Sequence, residues 1–283
     1  MIRFSTTRPG NDDRTSWSAV VIASLVNLSD YPLDQPDSAR YRSLVETLGR
    51  QLAETGLVNI PNFLTPNGIS RFNDEIDDRM PQAFYSEHGP SSYFDAYPGE
   101  LPYDILNSTS YCMGRDKLHN TEMDRLYQWQ PIRRFIAGVT GNERVYLHED
   151  PSNALIVQMY KAGCEIGWHF DGALFASIIN LSQPIAGGVF ECVPDLRTEE
   201  DPGYGEVREV LEGRSTRVQK HDMEASSLTL MLGRYTFHRV TRIEQEKSRI
   251  SLVLTYELRS GVHLDSVARK RIFGPSAPSE PVL

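Results

Sequence analysis

The most informative segment of the sequence is Gly167-Trp168-His169-Phe170-Asp171-Gly172, in which one aromatic residue separates a histidine from an aspartate. The pattern predicts the end of a β-strand, and side chains two apart on an extended chain point to the same face. His169 and Asp171 are therefore expected to reach one metal ion together. The same alternation turns Trp168 and Phe170 to the opposite face, where we expect them to pack in the core.

His238 completes the candidate metal site. It stands in Gly233-Arg234-Tyr235-Thr236-Phe237-His238-Arg239-Val240, at the start of another predicted strand. Two imidazoles and one carboxylate form the facial set that binds non-haem Fe(II) and leaves positions open for oxygen and a cosubstrate. Any one of these residues alone is more typical of a structural or solvated side chain. The remaining histidines have no comparable neighbours and are interpreted as surface or core residues: His88, His119, His148, His221 and His263.

A third pattern, Arg249-Ile250-Ser251, lies in the last predicted strand. Arg249 and Ser251 share a face by the two-residue alternation. A guanidinium fork beside a hydroxyl suits a carboxylate, which it binds through charge-assisted, bidentate hydrogen bonds. Alone the pattern would favour a surface salt bridge. Together with the two histidines and the aspartate, it predicts an anchor for the far carboxylate of 2-oxoglutarate.

The chain divides into a first part with helical spacing and a second part of short strands. Helices are predicted over 37–55, from Thr65 through Ile76, over 121–139 and within an insertion at 198–213. Strands are predicted over 57–60, 154–160, 175–181, 189–193, 227–232 and 249–256. Helices first and strands afterwards predict an α+β fold, a barrel or sandwich with a helical layer outside.

A length of 283 residues favours one domain with elaborations. We expect a mainly helical N-terminal part at 1–150, a β-rich core at 151–260 and a C-terminal tail at 261–283. The segment 85–111 mixes aromatic residues with prolines and glycines. It is expected to be a long loop and a candidate lid over the site. The alternative is a surface connection packed by its own aromatic side chains.

The order His-x-Asp, distal His, Arg-x-Ser resembles that of the 2-oxoglutarate/iron(II)-dependent dioxygenase superfamily. The stretches Gly187-Gly188-Val189-Phe190-Glu191 and Val193-Pro194-Asp195-Leu196-Arg197 are also similar to a narrower group, the bacterial halogenases and hydroxylases that act on free amino acids. The resemblance covers roughly residues 153–258. It implies a double-stranded β-helix of the jelly-roll, cupin-like type, with Fe(II), 2-oxoglutarate and O2 as cofactors.

The resemblance also implies a reaction, the oxidation of an unactivated C–H bond with release of succinate and CO2. In the halogenases of this group a small residue replaces the aspartate, and chloride occupies the vacated position. The carboxylate of Asp171 implies a hydroxylase acting on a free amino acid or a derivative. Desaturation or cyclisation of a natural-product intermediate, and hydroxylation of a peptide or protein, are the alternatives.

Five further residues are candidates for the pocket. Gln158 and Tyr160 lie on the predicted strand before the His-x-Asp and are candidates to bind 2-oxoglutarate, with ordinary sheet packing as the alternative. Asn153, which we place on the same strand, is a candidate substrate residue with the same alternative. Asp195 and Arg197 form a charged pair suited to the ammonium and carboxylate of an amino acid, with a solvated ion pair as the equal alternative.

The formal net charge of −9 argues against a nucleic-acid or anionic-membrane surface. No apolar run approaches the roughly 20 residues needed to span a bilayer. The three cysteines, Cys112, Cys164 and Cys192, fit neither a disulfide framework nor a paired metal motif. We therefore expect a cytoplasmic enzyme with a small-molecule substrate and with neither nucleic acid nor membrane as a partner. The sequence does not indicate the oligomeric state.

Overall fold

The computed structural model describes residues 21–279, so both ends of the chain, including parts of the predicted N-terminal region and tail, lie outside it. The strands of the described part are β1 (Leu57–Ile60), β2 (Phe84–His88), β3 (Ser108–Gly114), β4 (Tyr146–Leu147), β5 (Leu155–Tyr160), β6 (Glu165–His169), β7 (Ala176–Ser182), β8 (Phe190–Val193), β9 (Gln219–His221), β10 (Leu228–Met231), β11 (Phe237–Val240), β12 (Arg249–Leu254) and β13 (Tyr256–Glu257).

The helices of the same part include α1 (Ala39–Thr55), α2 (Pro66–Arg79), α3 (Tyr103–Leu106), α4 (Arg115–Leu118), α5 (Glu122–Gln128), α6 (Gln130–Val139), α7 (Tyr204–Leu211) and α8 (Ser266–Phe273), with short 3-10 turns at Met80–Gln82 and Ser92–Ala96. Across positions 21–279, no helix has both the length and the apolar character needed to cross a membrane.

Eleven strands form one curled antiparallel sheet with two halves. The first half has the order β1-β10-β7-β12-β5, and the second has the order β6-β11-β8-β9. Strand β3 joins them, because its start pairs with β6 and its end pairs with β5. From β5 to β12 the chain passes repeatedly from one half to the other. This connectivity is the predicted double-stranded β-helix, and the predicted α+β fold is confirmed.

The helical layer covers the outer face of the first half. Leu252 and Leu254 of β12 are buried in the same apolar cluster as Phe72 of α2 and Phe135 of α6. Because side chains alternate along a strand, the neighbours Arg249 and Ser251 point to the opposite face, into the space between the two halves. Burial of this large cluster is the main favourable contribution to folding, and it holds the polar inner face in place.

The N-terminal part contributes more strand than its helical spacing predicts. Strand β2 pairs with β3 over Phe84–His88 and Ser108–Cys112, so both ends of the predicted long loop 85–111 belong to a hairpin. The connection between them carries α3 and the turn at Ser92–Ala96. The prolines and glycines that indicate a loop are confined to this connection, and the flanking strands gain their stability from pairing with the sheet.

The predicted helix over 121–139 is two helices, α5 and α6, that meet at Trp129. Pro131 stands in the first turn of α6, where its missing N–H costs nothing. In the interior of one continuous helix it would remove a hydrogen bond and clash with the preceding turn. The break therefore follows from Pro131.

The predicted C-terminal tail contains an ordered helix, α8, held by a buried ion pair. Asp265 caps its start by accepting hydrogen bonds from Val267 N–H and Ala268 N–H. Arg269 Nε lies 2.9 Å from Asp150 Oδ2, and the Asp150 side chain is fully buried. Burial opposes ionisation of Asp150, but the hydrogen bonds and charge of Arg269 lower its pKa overall.

We predict that Arg269→Ala lowers the free energy of unfolding by about 3–5 kcal/mol, since it leaves a buried charge without a partner. Because the pKa of folded Asp150 is lowered, the stabilisation is present at neutral pH and is lost as the pH falls through the acidic range. Urea denaturation at pH 7 measures the effect, and Lys270→Ala on the exposed face of α8 is the control. Equal stability of the two variants would contradict the role of this ion pair.

Candidate metal centre

The pairing of β6 with β11 brings the two predicted histidine ligands together. His238 is the register partner of His169, and their ring centroids are 4.1 Å apart. Asp171 follows the end of β6, and its Oδ1 lies 3.5 Å from His169 Nε2 and 3.7 Å from His238 Nε2. One ligand atom from each residue falls within 4.8 Å of the others. The three residues predicted from the sequence therefore form one group able to hold a metal ion.

Backbone carbonyls fix both imidazoles in the orientation a metal needs. His169 Nδ1 lies 2.9 Å from the carbonyl oxygen of Gly167, and His238 Nδ1 lies 2.9 Å from that of Thr236. A carbonyl can only accept, so each Nδ1 carries a hydrogen, and each Nε2 of a neutral imidazole keeps a lone pair for a metal ion in the space it shares with the Asp171 carboxylate. Two imidazole nitrogens and a carboxylate oxygen are the donor set of non-haem Fe(II) sites, and these residues fit that ion.

Burial and mutual charge set the protonation of the three groups. Burial, with the charge of His169, lowers the pKa of His238 to about 4, so this imidazole is neutral at physiological pH. Burial opposes ionisation of Asp171, but the positive charge that His238 carries in acid, and the hydrogen bond from protonated His169, lower the pKa of Asp171 overall. Burial also disfavours the protonated form of His169. The hydrogen bond and the charge of Asp171 outweigh burial, so the pKa of His169 is raised. The centre therefore combines a carboxylate with a neutral imidazole and favours a cation.

Gly233 supplies the space that the Asp171 carboxylate occupies. The Asp171 N–H donates to the carbonyl oxygen of Gly233 over 3.1 Å. A Cβ added at Gly233 would lie 2.0 Å from Asp171 Oδ2, which is too close for any side chain. The glycine thus fixes the carboxylate by close backbone approach. Sequence reasoning missed this role, because a glycine before a strand is the ordinary signal of a turn.

Arg197 lies beside the centre, but its polar atoms contact the backbone. Its Nε donates to the carbonyl oxygen of Arg234 over 2.5 Å, and Nη2 lies 3.4 Å from the carbonyl oxygen of Asp171. Its guanidinium carbon sits 4.2 Å from the ring centroid of Phe170. These contacts tie the loop after β6 to the loop before β11. Arg197 thereby holds in place the backbone that carries Asp171 and Gly233.

The predicted charged pair of Asp195 and Arg197 does not form. Asp195 has a φ of 49° and its side chain is exposed. It lines a surface groove with Glu54 and Arg217, whereas Arg197 faces Phe170. The left-handed backbone at Asp195 breaks the strand alternation that would have placed both side chains together.

The residues predicted to bind 2-oxoglutarate lie together on the inner face of the first half. Arg249 is opposite Tyr160, and Ser251 is opposite Gln158, in the pairing of β12 with β5. Arg249 Nη1 lies 3.0 Å from Ser251 Oγ, and the Tyr160 hydroxyl donates to Gln158 Oε1 over 2.8 Å. The guanidinium carbon of Arg249 is 5.6 Å from the Tyr160 ring centroid.

Arg249 carries a buried charge that no acid of the described part of the chain neutralises. Only 6% of the residue is exposed, and its other hydrogen bond runs from Nη2 to Asn180 Oδ1 over 3.3 Å. Among residues 21–279, no carboxylate lies within ion-pair distance of its guanidinium. A buried cation without a counter-ion is costly, and an anionic ligand would remove that cost. Asn180 was not among the residues predicted from the sequence.

Asn153 lies away from this group. It precedes β5, whereas Tyr160 ends the same strand, and a strand of that length separates them by roughly 20 Å. Its Nδ2 is 3.2 Å from His148 Nε2, and its N–H donates to Asp150 Oδ1 over 3.0 Å. Asn153 thus belongs to the polar cluster that holds α8, and a substrate contact at this residue stays a prediction.

The aromatic residues of the candidate lid pack on the outer face of the second half. Tyr93 and Phe170 have ring centroids 4.8 Å apart, and Phe94 lies 6.3 Å from Phe237. Trp168 stacks on Phe237 at 5.0 Å, so Trp168 and Phe170 turn away from the ligands as predicted. These contacts join the connection to the strand ends at Phe170 and Phe237, and its role as a lid stays a prediction.

We predict that Gly233→Ala weakens Fe(II) binding about 10- to 100-fold, because its methyl group must displace the Asp171 carboxylate. Gly172→Ala is the matched control, since a Cβ at Gly172 meets nothing within 4 Å. Isothermal titration calorimetry with Fe(II), carried out without oxygen, measures the Fe(II) affinity of both variants and of the unaltered protein. Unchanged affinity in Gly233→Ala would contradict the role of Gly233.

Solved structures of similar fold include several oxygenases. The epimerase SnoN, in complex with Fe3+, alpha ketoglutarate and nogalamycin RO, gives a TM-score of 0.57 at 15% identity and covers 85% of this chain and 96% of its own. A 2OG-Fe(II) oxygenase family oxidoreductase from Burkholderia pseudomallei gives 0.51 at 15% identity, covering 77% and 92%. A Trichoplax adhaerens prolyl hydroxylase, in complex with a hypoxia inducible factor peptide fragment, gives 0.53 at 16% identity, covering 76% and 90%. At these identities the likeness is one of fold.

Among curated proteins, none matches this chain in sequence. A family model does match it. The HalD model, described as Halogenase D, covers residues 112–271, a span that contains His169, Asp171, His238 and Arg249. Since that span is more than half of the chain, the protein belongs to the HalD (Halogenase D) family.

Proposed function

We propose that this protein is a 2-oxoglutarate- and Fe(II)-dependent oxygenase that hydroxylates an unactivated C–H bond of a small molecule, a free amino acid or an amino-acid derivative. The observation that carries the proposal is the uncompensated buried charge of Arg249. It points into the same space between the sheet halves as the group of His169, Asp171 and His238. A dicarboxylate that chelates a metal ion through one end requires a metal site and, beside it, a site that binds the carboxylate at its other end.

The chain's own residues have distinct tasks in this reaction. The Nε2 atoms of His169 and His238 and the carboxylate of Asp171 would hold the iron. Arg249 and Ser251 would bind the far carboxylate of 2-oxoglutarate by charge-assisted hydrogen bonds, which orients its keto-acid end toward the metal. Bound Fe(II) supplies the activation of O2, coupled to oxidation of 2-oxoglutarate to succinate and CO2.

Two further polar residues on the inner face are expected to contact 2-oxoglutarate. Gln158 and Tyr160 lie beside Arg249 and Ser251, and we infer that they line the 2-oxoglutarate pocket. The Tyr160 hydroxyl is fully engaged as a donor to Gln158, and burial raises its pKa. Tyr160 therefore stays neutral and adds no negative charge that would repel a dicarboxylate.

Asp171 separates hydroxylation from halogenation. Its carboxylate lies within 3.7 Å of both imidazole Nε2 atoms. The resemblance to the halogenases implies that this carboxylate takes the position that chloride would need. Although the family model is described as Halogenase D, this residue supports transfer of oxygen. Desaturation or ring closure would use the same ligands, and the product of the reaction tells them apart.

We predict that Asp171→Gly abolishes hydroxylation and that His169→Ala abolishes Fe(II) binding, because each removes one of three ligands. Product mass spectrometry measures the first effect, and anaerobic metal titration measures the second. Lys270→Ala, on the exposed face of α8, is the control in both. Full hydroxylation by an Asp171→Ala protein would contradict the metal assignment.

The proposed activity predicts succinate release that requires both Fe(II) and 2-oxoglutarate and that rises when the substrate is present. Protein reconstituted without oxygen is assayed against pooled amino acids and related metabolites, and mass spectrometry then follows a gain of one oxygen or a loss of two hydrogens. If no pooled compound raises succinate formation above the uncoupled level, the free-amino-acid assignment is wrong. If a peptide raises it instead, the protein is a peptide hydroxylase.

Two further features support a cytoplasmic enzyme that does not act on nucleic acid. The net charge of −9 disfavours a nucleic-acid substrate. Cys112, Cys164 and Cys192 are free and buried, and unpaired thiols are typical of a reducing compartment such as the cytoplasm.

A further inference from the structure

Asn180, on β7, contacts the buried guanidinium of Arg249 through a neutral oxygen. Its Oδ1 accepts from Arg249 Nη2 over 3.3 Å, and the residue is 2% exposed. The register pairs Asn180 with Ser251, so the arginine, the serine and the asparagine lie on adjacent strands. Asn180 is therefore part of the surroundings that set the charge and the direction of Arg249.

Hydrogen bonds on its other side fix the orientation of the Asn180 amide. Its Nδ2 lies 3.1 Å from Ser227 Oγ and 3.2 Å from Thr229 Oγ1. Ser227 donates its own hydrogen to Glu224 O, and Thr229 donates to Asn59 Oδ1. Both hydroxyls must therefore accept from Asn180, which uses both amide hydrogens. The carbonyl oxygen is left to face Arg249.

The hydrogen bonds to Ser251 and Asn180 orient the guanidinium of Arg249 without neutralising its charge. Ser251 and Asn180 are its side-chain hydrogen-bond acceptors among the described residues, and neither is charged. An aspartate of nearly the same shape at position 180 would give the guanidinium a counter-ion. That counter-ion would stabilise the ligand-free protein and would compete with a carboxylate ligand for the guanidinium of Arg249.

We propose that Asn180 is a positioning and specificity-determining residue for the cosubstrate: it holds Arg249 in place with a neutral acceptor, so that the full charge is kept for the distal carboxylate of a 2-oxo dicarboxylic acid. This inference rests on the proposed function. It adds that the choice of a dicarboxylate over a monocarboxylate depends on the absence of charge at position 180.

The test is Asn180→Asp, with binding measured by calorimetry on Mn2+-loaded protein without turnover. We expect the affinity for 2-oxoglutarate to fall about 10- to 100-fold, the range for one charged hydrogen bond. The affinity for 2-oxopentanoate, which has the same chain length and no distal carboxylate, is expected to stay unchanged. The melting temperature of the ligand-free variant is expected to equal or exceed that of the unaltered protein. Gln219→Glu adds the same charge on the exposed strand β9 and is expected to change neither affinity.

An equal loss of affinity for both 2-oxo acids, or unchanged 2-oxoglutarate binding, in Asn180→Asp would overturn the inference. If that variant does not fold, Asn180→Ala replaces it. It is expected to lose more affinity for 2-oxoglutarate than for 2-oxopentanoate, and equal binding to the unaltered protein would overturn the inference. Failure of the unaltered protein to bind 2-oxoglutarate would contradict the proposed function itself, whereas normal binding with unaffected variants would contradict only the role of Asn180.

Discussion

The antiparallel pairing of β6 with β11 is the constraint on which the metal centre depends. It places His238 directly opposite His169, and the chain leaving β6 then carries Asp171 to both rings. A shift of the register by one residue would turn His238 outward, because strand side chains alternate. On the outer face, Trp168, Phe170 and Phe237 stack together, and such a shift would bring polar residues into that apolar contact. The same pairing thus secures the outer packing and the inner ligand set.

The inner face carries polar and charged groups that cost free energy to bury. Arg249, Ser251 and Asn180 lie there without an acidic partner among residues 21–279. The compensating contribution comes from the opposite face of the same strands, where Leu252 and Leu254 pack under the helical layer. Proteins commonly place such unfavourable arrangements at functional sites, where a ligand relieves them. The position of Arg249 is therefore evidence of a ligand and is hard to explain by stability alone.

Local pattern was enough to predict the fold class and the three residues that come together as a group able to hold a metal ion. His-x-Asp and Arg-x-Ser each depend on the two-residue alternation of a single strand, and the short strands after position 153 indicated the β-rich core. Contacts that depend on register across strands could not be predicted. Asn180 reaches Arg249 from a neighbouring strand, and Gly233 reaches Asp171 from another loop. The sequence does not say which end of β5 faces the metal group, so it could not predict that Asn153 contacts His148 and Asp150. The hairpin of β2 and β3 was hidden by the proline-rich connection between its strands.

The proposed metal and cosubstrate sites can be observed in a crystal structure of the protein with Mn2+ and 2-oxoglutarate, grown without oxygen. We expect anomalous density for the metal between His169 Nε2, His238 Nε2 and the Asp171 carboxylate. We expect the distal carboxylate of 2-oxoglutarate to contact Arg249 and Ser251. Metal bound elsewhere, or a 2-oxoglutarate carboxylate that does not contact Arg249, would contradict the proposed sites.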